Sequence, residues 1–250
     1  NVPSEYSSIQ AALTVANAND TVLVQSGTYT ENIFWPETNS IKLISAGDSS
    51  NTIIDGGSVS SVIYINPQSV TIDTTTLIQG FKITNGGNVT SGGGLFISQS
   101  SPTLSKLSII NNSADGTEYN HGGCGLFITS QSHPILKDLS ITNNIGDQTR
   151  GAGIHINENS NPRITNVIIS DNFTHADGGG VYIRDSDPIF MDNIIMDNYS
   201  NSSGGGMFIV YSSATLTNLL IDNNSSSKGG GVYIHSNSSN FTNVIMSNNN

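Results

Sequence analysis

A block of small residues, Gly92-Gly93-Gly94, returns along the chain as Gly122-Gly123-Cys124-Gly125, Gly151-Ala152-Gly153, Gly178-Gly179-Gly180, Gly204-Gly205-Gly206 and Gly229-Gly230-Gly231. Each block is followed by apolar or aromatic residues. Counted from its last glycine, the steps are 31, 28, 27, 26 and 25 residues. Self-similarity at such a period marks stacked supersecondary units, each too small to bury its own apolar face. A second marker precedes the blocks: Ile109-x-x-Asn112, Ile141-x-x-Asn144, Ile169-x-x-Asn172, Ile195-x-x-Asn198 and Leu220-x-x-Asn223. Ile245-x-x-Asn248 opens one more coil, so a capping element or further repeats are expected beyond Asn250.

Between the markers, apolar residues alternate with period two, as in Gly180-Val181-Tyr182-Ile183 and Asn193-Ile194-Ile195-Met196, and Asn, Asp, Ser and Pro punctuate the runs. Helical periodicity is absent there. A coil of about 25 residues with three short strands fits a single right-handed parallel β-helix, an all-β solenoid, and lacks the leucine-rich consensus of the other solenoid of that period. Pro102, Pro134, Pro162 and Pro188 then mark the bend after the first strand. Residues 21–74 read as degenerate early coils, with strands at Thr21-Val22-Leu23-Val24, Ile41-Lys42-Leu43-Ile44, Thr52-Ile53-Ile54-Asp55 and Ser61-Val62-Ile63-Tyr64-Ile65. Residues 1–20 form an N-terminal cap: Ser8 can start a short helix whose Ile9, Ala12, Leu13 and Ala16 share one face. We therefore expect one domain over residues 1–250, with regular coils over 75–250.

Stacked coils turn each repeat position into a column, with a spacing of about 4.8 Å. Asn112, Asn144, Asn172, Asn198, Asn223 and Asn248 are expected to form a ladder of side-chain amides, each bonded to the coils above and below. The glycines permit positive φ and close backbone approach at a corner. They are not phosphate loops, since no Lys-Ser/Thr and no helix follows them.

Composition limits the function classes. Charged residues are 11% of the chain, and 19 acids against 8 bases leave a net charge of -11, which disfavours nucleic acid and anionic membranes as partners. No apolar run approaches the roughly 18 residues of a membrane span. A single cysteine, Cys124, excludes an internal disulfide framework and reads as a small buried residue in a glycine position. Asn1-Val2-Pro3-Ser4 shows no export signal, so an extracellular or cell-surface location is inferred from fold type alone. Sequons such as Asn88-Val89-Thr90 and Asn172-Phe173-Thr174 are expected by chance in so Asn-, Ser- and Thr-rich a chain.

Two resemblances rest on these motifs. The pairing of Ile-x-x-Asn with Gly-Gly-Gly-apolar, over roughly residues 83–250, resembles the FxxN and GGA repeats of chlamydial polymorphic outer-membrane proteins, which implies a β-helical surface adhesin. The chain as a whole resembles pectin-lyase-like secreted right-handed β-helix proteins. Its opening, through Gly27-Thr28-Tyr29-Thr30-Glu31-Asn32-Ile33, is similar to the G-x-Y-x-E start of pectin methylesterases. That likeness implies the fold, and it implies a glycan-directed role only at the level of the superfamily. The catalytic aspartates and arginine of the esterases have no counterpart here.

Three sets of residues could carry chemistry. The residues between the aliphatics of each post-glycine strand are Phe96, Phe127, His155, Tyr182, Phe208 and Tyr233, a stripe on which sugar rings or a second copy of the chain could stack, or which could simply support itself as a ladder. The loops between ladder and glycines gather the scarce ionisable groups: Asp115, Glu118, Tyr119, His121, Asp147, Arg150, His175, Asp177 and Lys228. Among them His121, Arg150 and His175 could serve a polysaccharide lyase, which needs a base and a cation for the uronate. Asp171, Asp197 and Asp222 could form an acidic column bridged by Ca²⁺, or cap turns and point outward. The reading these features favour is a non-catalytic secreted or surface scaffold, structural or adhesive, that self-associates or binds a polysaccharide or surface glycan along the stripe; the alternative is a polysaccharide lyase. No other cofactor is expected.

Overall fold

The computed structural model describes every residue from 1 to 250 except Tyr119 and Asn237, so the loop residue Tyr119 named above lies outside the described residues. Among the described residues the strands form a 14-stranded, an eight-stranded and a five-stranded sheet, and each pairing joins one coil to the next in parallel. One coil shows the plan. After the glycine corner at Gly178, Val181–Arg184 lies in the eight-stranded sheet. Ile189–Met191 and Ile194–Met196 lie in the largest sheet, and Tyr199–Ser203 in the smallest, before the next corner at Gly204. In neighbouring coils the two middle segments are one bent strand, as in Arg163–Ser170 and Thr215–Asp222. The bend falls on Asp138, Asn166, Asp192 and Asn218, all left-handed with φ between 54° and 58°. Asp and Asn tolerate that conformation better than other non-glycine residues. The expected early strands are present too, one shifted by a residue to Lys42–Ser45 and one shortened to Ile63–Ile65.

Alternation decides which side chains enter the core. Within Val181-Tyr182-Ile183 the aliphatics point inward and join one continuous apolar cluster running from Val2 to Ile221, while the aromatic between them faces out. Each fully buried Ile, Leu or Val contributes roughly 1.5–3 kcal/mol, so a single column of aliphatics carries much of the fold.

Ladders hold the corners. Asn112, Asn144, Asn172 and Asn198 stack as expected: the side-chain oxygens of Asn144, Asn172 and Asn198 each accept the backbone N–H and the side-chain amide of the rung before, and that of Asn112 accepts the Gly86 N–H. The column then continues through Asn224 and Asn249, not through Asn223 and Asn248. The cause is register. Ile221, not Leu220, pairs with Ile195 and points into the core, so the ladder residue is three places after Ile221. Asn223 and Asn248 occupy the left-handed position beside the ladder, with φ of 52° and 54°. A second ladder, which the glycine and asparagine spacing does not reveal, runs along the corner before the largest sheet. The hydroxyls of Ser132, Ser160, Ser186 and Ser212 each accept the backbone N–H of the preceding rung, at 3.1–3.2 Å, starting from Ser100. Its signal is a serine two residues before each bend proline.

The glycine blocks serve geometry. Gly178 has φ +73°, and a Cβ on Gly180 would lie 2.6 Å from the Gly206 carbonyl and 3.0 Å from the ladder amide of Asn198. Cys124 takes the middle position of its block, fully buried against Thr149, and burial pushes its thiol up to about 11, so it stays protonated and unreactive.

The N-terminal helix, Ile9–Val15, covers the first coil with Ile9, Ala12 and Leu13. Ser8 caps it by accepting from Ala11 N–H at 3.1 Å, and Glu31 adds a second cap, its two oxygens accepting from the N–H groups of Ile9 and Gln10 at 2.9 Å. Glu31 is the last residue of the Gly27-x-Tyr29-x-Glu31 motif, so in this chain the motif fastens the helix to the coil stack. Replacing Glu31 with alanine removes two charge-assisted hydrogen bonds at a helix N-terminus and is expected to cost about 2 kcal/mol. That corresponds to a fall of roughly 4–8 °C in Tm. A thermal melt unchanged within a degree would show that the carboxylate does not fasten the helix.

Candidate binding groove

Phe96, Phe127, His155, Tyr182, Phe208 and Tyr233 stand in one register on the outer face of the eight-stranded sheet, outside the main core. Two earlier rungs belong to the same column, Phe34 and Tyr64. They escape a search keyed on glycine blocks because their coils have none. Their signal is the alternation Ile33-Phe34-Trp35 and Ile63-Tyr64-Ile65. Ring centroids along the column are 4.6–6.0 Å apart. Several pairs are close to parallel, with interplanar angles of 15° for Tyr64 and Phe96, 9° for Tyr182 and Phe208 and 13° for Phe208 and Tyr233. In these pairs the ring faces lie against each other, so what the stripe offers outward is chiefly ring edges.

The stripe is not open along its length. Phe127 and Tyr182 are 3% exposed and His155 is fully buried, while Phe34 is 57% exposed and Phe96, Phe208 and Tyr233 are half-buried. The loop entering the second glycine block lies across the middle rungs: a Cβ on Gly122 would sit 2.2 Å from His155 Nδ1. That nitrogen is 3.3 Å from the Arg150 carbonyl, and burial pulls the imidazole down to about 3. His155 is therefore a neutral rung of the ladder, not a base.

What remains open is a groove of about 590 Å³ over the first rungs. Its floor is Phe34, Tyr64, Phe96 and Phe127. Where the chain enters these strands the wall is Ser61, Thr90, Ser91 and His121; where it leaves them, the wall is Ser98, Thr129, Ser130 and Glu158. Glu158 is held in place, its Oε2 accepting from the Thr129 and Ser130 hydroxyls at 2.9 Å each. No Lys or Arg is among the described residues that line the groove.

The three residues suggested for a lyase are held by different partners. His121 lines the groove. Arg150 Nη1 donates to the Glu118 carbonyl at 3.1 Å and Nε faces Asp177 at 3.7 Å. His175 lies beside Asp147 at 3.8 Å, bonds Asn201 and meets the edge of Phe173. Neither Arg150 nor His175 lines the groove.

The acidic column also needs correction. Asp171 and Asp197 follow one another at the left-handed corner, but the next residue there is Asn223, whose side-chain amide donates to Asp197 at 2.6 Å. Asp222 pairs with Met196 in the strand and accepts from Ser247 and Asn248, bonds that hold its carboxyl below the usual range. The same one-residue slip that moved the Asn ladder takes Asp222 out of this column. Among the described residues no three His, Cys, Asp or Glu side chains gather as metal ligands would.

No helix among the described residues is long and apolar enough to cross a membrane. No curated protein matches the chain. Among solved structures, ORF18 of Geobacillus virus E2 aligns with 93% of this chain and 56% of its own, at 15% identity and a TM-score of 0.31, so this chain spans just over half of that one. The family described as the right-handed beta helix region matches residues 61–250, the stretch that carries the glycine blocks and most of the Asn and aromatic columns, and the chain belongs to that family.

Proposed function

We propose that this protein is a non-catalytic β-helix scaffold, secreted or displayed at a cell surface, that holds a hydroxyl-rich polysaccharide in the groove over Phe34, Tyr64, Phe96 and Phe127. The observation that carries the reading is the groove itself: ring edges as floor, and walls of Ser and Thr hydroxyls with one carboxylate. Sugars combine apolar C–H patches with hydroxyls, and such a lining meets both. That no Lys or Arg is among the described residues lining the groove favours ligands without uronate groups over the acidic substrates of a lyase, whose carboxylates need a cation.

Affinity electrophoresis against a panel of neutral and acidic polysaccharides tests this. At least one neutral glycan is expected to retard the protein, and Phe34→Ala with Tyr64→Ala to weaken binding at least tenfold, about 1.4 kcal/mol. Tyr233→Ala, on the same stripe but outside the groove, is expected to leave binding unchanged. A panel without any retarding glycan sinks the reading, as does turnover of an acidic polysaccharide that Arg150→Ala abolishes. A concentration-dependent mass that Tyr64→Ala reduces would instead assign the groove to contact between copies of the chain.

A further inference from the structure

The groove has a period. Each coil contributes one ring to its floor, and the centroids of Phe34, Tyr64, Phe96 and Phe127 follow one another at 6.0, 4.6 and 5.3 Å. The walls repeat with the floor. Ser98 and Thr129 are register partners on adjacent strands, and on the other side Ser61, Ser91 and His121 come from successive coils, joined where Val62 N–H meets the Gly93 carbonyl and Gly92 N–H the Gly122 carbonyl. The groove also has ends. Before Phe34 the Gln10 side chain of the N-terminal helix takes the place of a strand, its oxygen accepting the Phe34 N–H at 2.7 Å and its amide donating to the Phe34 carbonyl at 3.1 Å. After Phe127 the chain entering Gly122 covers His155, which has no exposure to solvent.

Because the walls flank the row of rungs, a chain-like ligand lies along the solenoid axis. It meets the same surroundings on every coil only if its own repeat matches the coil spacing of about 4.8 Å. Peptides miss that match: an extended strand returns a side chain to one face about every 6.6 Å, and a polyproline helix about every 9 Å. A second copy of this chain has the right period, but two walled grooves cannot fill each other, and each copy carries a net charge of -11. Sugars joined by β-1,4 linkages through two equatorial bonds form a straight ribbon that advances by close to one coil spacing per sugar, whereas α-1,4 and β-1,3 linkages bend the chain out of register. Resting on the groove reading, we infer that the ligand is a neutral glycan with a straight β-1,4-linked backbone, and that the groove holds four of its sugars, one on each coil from Phe34 to Phe127.

Calorimetric titration with β-1,4-linked oligomers of glucose, mannose and xylose, two to six sugars long, against α-1,4- and β-1,3-linked glucose oligomers of the same lengths tests the assignment. At four sugars, at least one β-1,4 series is expected to bind at least tenfold more tightly than both of the bent series. Its affinity is expected to rise from two to four sugars and to stay level at five and six. Phe96→Ala opens a gap in the row and is expected to abolish the rise beyond two sugars, while Tyr233→Ala, outside the groove, leaves it unchanged. Should Phe96→Ala fail to fold, the length series on the parent chain decides alone. Equal affinity for straight and bent series, or affinity that keeps climbing past four sugars, overturns the register assignment and leaves the groove standing. The assignment also falls alone if no oligomer binds while a polysaccharide still retards the protein; if neither binds, both readings fall.

Discussion

A chain carrying Asn172→Ala is expected to lose about 3–5 kcal/mol of stability in urea unfolding. The side chain is fully buried and works in both directions along the solenoid. Its amide donates to the Ile141 carbonyl at 3.0 Å and to Asn198 Oδ1 at 2.9 Å, while its oxygen accepts the backbone N–H and the side-chain amide of Asn144, each at 3.0 Å. Alanine strands the Asn144 N–H and the Ile141 carbonyl in a place water does not reach, and an unsatisfied buried group costs about 1–3 kcal/mol. It also cuts the ladder between two rungs, so the neighbours lose partners they cannot replace. The comparison variant is Asn223→Gly, since Asn223 is exposed, takes a φ glycine adopts freely and bonds only Asp197 with its side chain. Its cost should stay under about 1 kcal/mol. Equal losses for the two would mean that the ladder does not stabilise the stack as a ladder.

The contrast between those two asparagines shows how much of the fold the sequence discloses. The period of the glycine blocks gives the solenoid, the aliphatic alternation gives the inside of each strand, and the two together place the first four ladder rungs at Asn112, Asn144, Asn172 and Asn198. At Asp222-Asn223-Asn224 two asparagines compete for one position, and the spacing from an apolar residue can start from Leu220 or Ile221. Only core packing decides, because one of those two must point inward and a slip of one residue reverses every side chain. Ile221 is buried and Leu220 lies on the outer face, which puts Asn224 on the ladder and Asp222 outside the acidic column.

The site was legible in a similar, partial way. Counting from the glycine blocks finds six aromatic rungs at one register, because the block fixes where each strand begins. It finds neither Phe34 nor Tyr64, whose early coils turn corners without a glycine triplet, and Phe34, 57% exposed, is the most open rung of the groove floor. Nor does strand alternation show that the middle of the stripe is covered. Alternation says that His155 faces away from the aliphatic core; the chain entering Gly122 is what buries it, and that packing joins residues on different coils. Glu158 carries no motif. Its place in the wall follows from a strand end that brings Thr129 and Ser130, one coil earlier, beside it.

The same buried histidine gives the second large effect, a loss of stability in acid that a single substitution should remove. His155 stacks between Phe127, at 5.0 Å, and Tyr182, at 4.7 Å, without exposure to solvent. Burial holds its pKa at about 3 in the folded chain, against about 6.5 in the unfolded one. Between those values the unfolded chain binds a proton that the folded chain refuses, so stability is complete above about pH 6.5 and falls as the pH falls toward 3. By pH 4 the loss from this one group is about 3 kcal/mol, at 1.36 kcal/mol for each pH unit traversed. His155→Phe keeps an aromatic rung and removes the proton site, giving up the imidazole's contacts with the backbone of Arg150 and His121, a pH-independent offset of about 1–2 kcal/mol. Carboxyls held low by hydrogen bonds, such as Glu37, Asp48 and Asp73, also weaken the fold in acid, but equally in both chains. In paired urea titrations from pH 7 to pH 4, the stability of the variant relative to the parent should therefore rise by about 3 kcal/mol. Parallel curves would mean that acid reaches His155 in the folded state, and with it that the covered middle of the aromatic stripe opens to water.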